Sequence, residues 1–254
     1  MKPEVKYPYE YFAAPVYFAV KIAEILRMPL ADEFAEYTGL YTEVTGIDWR
    51  NDKTSPIWSD FLEKIGSSTD PEYISKVMYE TYLDQPHSIF QPEKTPEGIS
   101  RFGPFGLDYN EYNRERNTVR LHFMPQRQAV SELATERFDE LREHFKALLQ
   151  YTKEHHPEVK NFTCSTWVNA IPNFRRLFPQ TFLDRMQDIG GSSYLGIWGQ
   201  FVKSDGSGNI NRFNQFVQGL SNAKTVEEAV DAFPFKVLEA VGPLDDFYKE
   251  YTIS

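Results

Sequence analysis

The feature that most constrains the fold is a change of hydrophobic period, from two to about 3.6 and back, between residues 118 and 168. Val119, Leu121 and Phe123 alternate with Arg120, His122 and Met124, the pattern of a strand with one apolar face. Ala134, Phe138, Leu141, Phe145, Leu148 and Thr152 then repeat at helical spacing, which predicts a long helix from about Ser131 to His155 that Pro157 cannot continue. Phe162–Val168 is a second strand. Strand, helix and strand in this order predict a crossover joining parallel neighbours. A second unit is predicted through a helical stretch from Pro172 to about Asp188 into a strand over 193–202, whose return could also be antiparallel. Upstream, Arg101–Tyr109 and Thr118–Met124 flank the polar turn Asn110–Asn117 and read as a hairpin. The fold class expected is α/β in the α+β sense, a mixed sheet flanked by helices.

The first 84 residues carry helical spacing instead. One helix is predicted from Pro15, placed as a first helical residue, to Pro29. Leu30 to Gly46 gives a second, Trp58 to Gly66 a third, and Asp70 with Pro71 opens a fourth that runs to about Leu83, with Asp70 as its cap. Six proline and glycine positions between 85 and 104 then mark a connector, so a helical region over 1–95 and an α/β domain over 96–254 are expected. The tail from Asn211 reads as two or three short helices broken at Pro234 and Pro243.

Composition excludes several classes. With 20 Phe and 15 Tyr among 254 residues, the chain has the apolar surface to fold around a large core. A formal charge of -10 opposes binding to nucleic acid and to anionic membranes. One cysteine, Cys164, can form neither an internal disulfide nor a cysteine-based metal cluster, and suits a reducing compartment. No metal site is expected. Met1–Glu10 lacks the apolar run of a secretory leader, and Phe12–Val20 falls short of the roughly 20 residues that cross a bilayer. A cytoplasmic location is therefore expected.

Candidate chemistry gathers where the first strand turns toward the long helix, in LHFMPQRQAVSE over 121–132. Exposed N–H groups at a helix start, with Arg127 beside them, can hold an anion; a helix capped by Ser131 accounts for the same residues. His122 titrates in the range of a general base, although a lone histidine on a strand is as readily a solvated or structural residue. Cys164 would be a nucleophile if His122 lay beside it with access to solvent, and a buried packing residue otherwise. Ser165, Thr166, Trp167 and Asn169 sit at the carboxyl end of a strand, where ligands of open sheets bind. Arg175 and Arg176 could meet an anion or pair with acidic side chains. Tyr194, Trp198 and Gln200 share a face if 193–202 is a strand, lining a pocket or packing under a helix. KSDGSGNIN over 203–211 lacks both calcium-ligand and nucleotide-loop spacing and reads as a turn. His155 and His156 read as caps of the long helix.

Taken in order, the hairpin, LHFMP, the long helix, FTCSTWV and LFP resemble the C-terminal domain of GNAT-type acyltransferases preceded by a helical domain. The likeness covers roughly residues 100–202, and STWVNAIPNFRRLFP and GIWGQF also resemble segments of uncharacterised bacterial proteins. The resemblance implies a sheet that splays beside the strand leading into the long helix. It also implies acyl-CoA as co-substrate, with its pyrophosphate in the loop of Met124, Gln126, Arg127, Gln128, Ala129 and Ser131. His122 would be the base and Cys164 to Trp167 would line the other side of the split. Ser165, Trp167, Asn169, Tyr194, Trp198 and Gln200 would shape the pocket for a small-molecule amine or hydroxyl acceptor. The family's loop glycines are absent here. The alternative is a non-catalytic small-molecule-binding or protein-interaction domain, using the aromatic pocket or pairing as a homodimer through the helices.

Overall fold

A computed structural model describes residues 7–47, 54–83, 98–126, 128–190 and 195–253. The chain is of the α+β class and divides into two compact units. One gathers the N-terminal helices with the segment up to Pro234; the other holds the sheet and takes up the chain again at Phe235. The boundary expected near residue 95 lies outside the described residues.

In the helical unit, Tyr9–Leu26 is buried on nearly every side and is packed by helices Pro71–Leu83 and Ile210–Asn222. A helix apolar all round belongs inside a core. It starts six residues before the predicted Pro15, which sits within it. An interior proline loses one hydrogen bond and costs about 3 kcal/mol, but Phe12, one turn earlier, packs its ring 4.2 Å from that of Tyr82. The second predicted helix is broken into Leu30–Glu33, a π-helical turn Phe34–Thr38 and Leu40–Thr45. Gly39 divides it with φ +67°, a left-handed conformation that glycine adopts at little cost. Pro56–Ile65 and Pro71–Leu83 match expectation, and Asp70 Oδ1 accepts the Glu72 N–H at 3.0 Å.

The predicted strand over 193–202 is instead a 3-10 helix, Leu195–Phe201. Ile197, Trp198 and Phe201 are its buried apolar residues, a spacing of three and four that a strand cannot present to one side. Gly196 and Gly199 also weaken a strand. The turn at 203–211 is present: Lys203 N donates to Ser207 O at 2.8 Å, with Gly206 at φ +86°.

The second unit is a six-stranded sheet in the order β1-β2-β3-β4-β6-β5. Its strands are β1 (Ile99–Phe102), β2 (Phe105–Asp108), β3 (Thr118–Phe123), β4 (Asn161–Thr166), β5 (Gln187–Asp188) and β6 (Leu238–Pro243). The β2–β3 hairpin matches the sequence, while the run 101–109 is two strands because Gly103 turns the chain at φ +56°. Among the described strands only β3 and β4 run parallel, joined by the predicted crossover helix, here Phe138–His155. Its end matches expectation, with His155 Nδ1 3.1 Å from the Tyr151 carbonyl. Among the described residues there is no second crossover, since Leu195–Phe201 is not a strand. β6, in a region read as helices, lies antiparallel to β4 and carries β5 on its other side.

One face of this sheet, with Phe105, Leu107, Val119, Leu121, Phe162, Cys164 and Ala240, is buried beneath the crossover helix and the aromatic residues around it. Phe145 is the centre of that layer, its ring 5.3–6.2 Å from those of Phe105, Phe162, Phe178, Phe247 and Tyr251.

Candidate functional site

Strand alternation puts polar residues on the opposite face. The register aligns Asp108, Arg120, Thr163 and Val241 in one row, and Gly106 with His122 in the next, where Ser165 pairs with Glu239 and Glu239 with Gln187. Val241 is 45% exposed, so solvent reaches this face.

His122 is held there by Asp108, whose Oδ2 lies 3.3 Å from Nε2. Asp108 is fixed in turn, its Oδ1 accepting the Asn110 N–H at 3.0 Å and its Oδ2 the Asn110 amide at 3.3 Å. A carboxylate only accepts, so Nε2 carries the proton and Nδ1 keeps the lone pair of a base. Burial, and then the charge of Arg120, lower the His122 pKa, while Asp108 opposes both. The imidazole is therefore neutral at neutral pH, with the Nδ1 lone pair available to accept a proton. Gly106 makes the crowding across the strand tolerable: a Cβ there would stand 2.4 Å from Met124 Cε and 2.7 Å from Ile99 Cγ2.

Next to His122 the sheet opens. β3 and β4 pair from Thr118↔Asn161 to Leu121↔Cys164, and both strands continue for two more residues. Beyond that point each keeps its outer partner, Phe123 with Phe105 and Thr166 with Leu238. The Asn161 N–H bonds to Asn117 O, which fixes the ladder's phase. Its next rung would join the Phe123 N–H to the Ser165 carbonyl, and the ladder ends before it. The two strands thus part with backbone groups facing an unclosed gap. Ser165 Oγ, on the His122 face of β4, is buried without a hydrogen-bond partner among the described residues.

Several expected site residues are placed elsewhere. Cys164 is on the apolar face with Leu121, 1% exposed, and burial pushes its thiol up to about 12. A protonated, enclosed thiol on the far face from His122 is no nucleophile. Asn169 is fully buried, its amide donating to Cys164 O at 3.2 Å and Leu238 O at 2.7 Å, so it ties β4 to β6 rather than meeting an acceptor. Trp167 stacks on Phe235 at 5.8 Å. Trp198 and Gln200 belong to the helical unit's core: the indole N–H donates to Thr38 O at 2.9 Å, and the Gln200 amide to Ile197 O at 3.0 Å. Neither shares a strand face with a pocket, and Tyr194 lies outside the described residues. Arg176 lies 3.8 Å over the Phe138 ring and donates to Asn173 Oδ1 at 3.4 Å, with no acid paired to it among the described residues.

The loop after β3 also differs from expectation. The helix begins at Phe138, after a 3-10 turn at Thr135–Arg137, so Gln126 and residues 128–131 do not form its N-terminus. Ser131 accepts the Leu133 N–H at 3.2 Å within a turn, and Glu132 pairs with Arg137 at 3.0 Å. Gln126 and Ala129 are exposed, Met124 and Ser131 half-buried, and Arg127 lies outside the described residues. Gln128 Nε2 is enclosed with no partner among the described residues. Without glycine, without a helix start and with acidic Glu132 in place, the loop is a poor cradle for a diphosphate.

Asp108 and Arg120 complete this face, and neither stood out in the sequence. The signal for Asp108 was the hairpin: pairing 105–108 with 118–123 sets it across from Arg120 and diagonal to His122. Among the described residues no group of three His, Cys, Asp or Glu side chains could hold a metal ion, and no helix is long and apolar enough to cross a membrane. Searches against protein-family models, curated proteins and solved structures give no match.

Proposed function

We propose that the sheet-bearing unit transfers an acyl group from an acyl-CoA thioester directly to a small amine or hydroxyl acceptor, in the cytoplasm, with His122 as the base. The observation that supports this reading is the open end of the β3–β4 ladder, with His122 on one lip and Ser165 on the other. The order of strands around the single parallel pair is consistent with it. The unclosed rung offers an N–H and a carbonyl, which suit the amide-bearing arm that carries the thioester. The loop over 124–131 adds little for the diphosphate.

In the reaction, an acceptor ammonium gives its proton to His122 Nδ1 and the free amine attacks the thioester carbonyl. The carbon–nitrogen bond forms, the carbon–sulfur bond breaks, the thiolate takes the proton from the imidazolium, and the new amide nitrogen releases its surplus proton to solvent. A positioned base contributes about 10²–10⁴ to such a step.

Isothermal titration with acetyl-CoA and longer acyl-CoAs tests the donor, and binding of none of them overturns the proposal. With a donor in hand, His122→Ala is expected to lower kcat by about 10²–10⁴ and leave donor affinity unchanged. Acyl-pantetheine is expected to serve within about tenfold of acyl-CoA, since losing the diphosphate removes little more than 1.4 kcal/mol of recognition.

A further inference from the structure

Arg120 has no part in the step above, yet it occupies the centre of the polar face. Its cross-strand acid, Asp108, turns to His122 and Asn110 instead. No described carboxylate lies within ion-pair distance of its guanidinium. Glu239, paired with Ser165 on β6, is equally without an ion-pair partner among the described residues. Both residues are half-buried. A cation and an anion therefore stand unneutralised on two sides of the buried Ser165 hydroxyl, which itself lacks a hydrogen bond. The enclosed, unpartnered Ser165 hydroxyl is costly as it stands, and a ligand that bonds it can also use the charges of Arg120 and Glu239 on either side.

Spacing decides what such a ligand is. Neighbouring strands lie about 4.8 Å apart and two residues along a strand about 6.7 Å, which puts the Arg120 and Ser165 backbones about 8 Å from each other. An extended arginine covers that span and presents a planar fork that fits a carboxylate with two hydrogen bonds. A cation centred over Ser165 meets Glu239 on one side and His122 on the other.

We propose that the acceptor is an amino acid: its carboxylate rests on Arg120, and its amine points to Ser165 and Glu239 beside His122. The inference rests on the acyl-transfer reading for what happens to the amine, and on this face alone for what is bound.

The test is isothermal titration of the full chain, with no donor present, against the twenty amino acids, their carboxamides and their deaminated acids. At least one amino acid is expected to bind, with its carboxamide and deaminated acid each at least tenfold weaker. Arg120→Gln should weaken that binding at least tenfold, Arg120→Lys less, and Glu239→Gln should lower affinity without altering the preference for carboxylate over carboxamide. Circular dichroism melts of the variants confirm that they fold. Binding of no amino acid to the wild-type chain overturns the proposal, as does equal binding of acids and carboxamides or an unchanged affinity in Arg120→Gln. Donor titration separates the two failures. Acyl-CoA binding without amino acid binding leaves acyl transfer standing and removes this inference, whereas amino acid binding without any acyl-CoA binding retains this recognition and removes the transfer.

Discussion

Cys164 and His122 stand one rung apart on neighbouring strands, and their side chains leave the sheet on opposite faces. Both have hydrogen-bonding company, Cys164 from Asn169 at 3.5 Å and His122 from Asp108 at 3.3 Å. Burial disfavours the charged form of each, so the thiol holds its proton and the imidazole goes without its second one. The outcome for chemistry is opposite. A thiol that keeps its proton cannot attack, while an imidazole that stays neutral can accept a proton. Desolvation, the largest influence on each group, disables the nucleophile on one face and, with the charge of Arg120 beside it, keeps the base neutral on the other.

That contrast can be broken from either side. The largest effect belongs to the apolar face: Phe145→Ala is expected to cost about 3–5 kcal/mol in urea denaturation, against about 0.5 kcal/mol or less for Arg120→Gln on the polar face. Similar losses for the two would mean the faces are not distinct. Next, Asn169→Ala removes the donor to two buried carbonyls and should cost about 1–3 kcal/mol, with fast amide exchange at the ends of β4 and β6 as its signature.

The third test uses pH. Cys164 has a folded pKa of about 12 against a reference of 9.0, so the folded state keeps a proton that the unfolded state loses. Its contribution is complete below pH 9 and falls as pH rises, by about 1.4 kcal/mol at pH 10. Cys164→Ala should remove that share of the alkaline slope and leave the share of the tyrosines Tyr11, Tyr248 and Tyr251, and a thiol reagent should label the wild-type chain only when it unfolds. The smallest effect is the mirror image. His122 has a lowered folded pKa, so its contribution is complete above the ordinary histidine range and is lost as pH falls through it. His122→Gln should flatten the melting temperature between pH 7 and 5; an unchanged slope would show that Asp108 fully offsets burial and Arg120, leaving the folded pKa unlowered.

Local patterns were readable wherever the structure itself is local. Val119, Leu121 and Phe123 alternate because the sheet has one dry face, and Pro157 stops the crossover helix as expected. The start of that helix was misread because Ser131 followed by acidic Glu132 mimics a cap. In the fold those side chains turn to Leu133 and Arg137, and the helix waits until Phe138. β6 was missed because its identity comes from partners far away in sequence: LEAVGP shows weak alternation, and Cys164 and Ser165 supply what its own residues lack. His122 could be picked out by type, but its setting could not, since register alone brings Asp108 to it and sets Ser165 and Glu239 on the same face.

The division of the chain has a consequence for the order in which it folds on the ribosome. β6 lies between β4 and β5, yet it is translated after the whole segment that packs into the helical unit. Until Leu238–Pro243 emerges, β4 has a bare edge and β5 has nothing to pair with. Folding by strict N-to-C addition of finished units is therefore closed to this protein, and its nascent chains carry an unpaired strand edge as a transient aggregation hazard until β6 has been made.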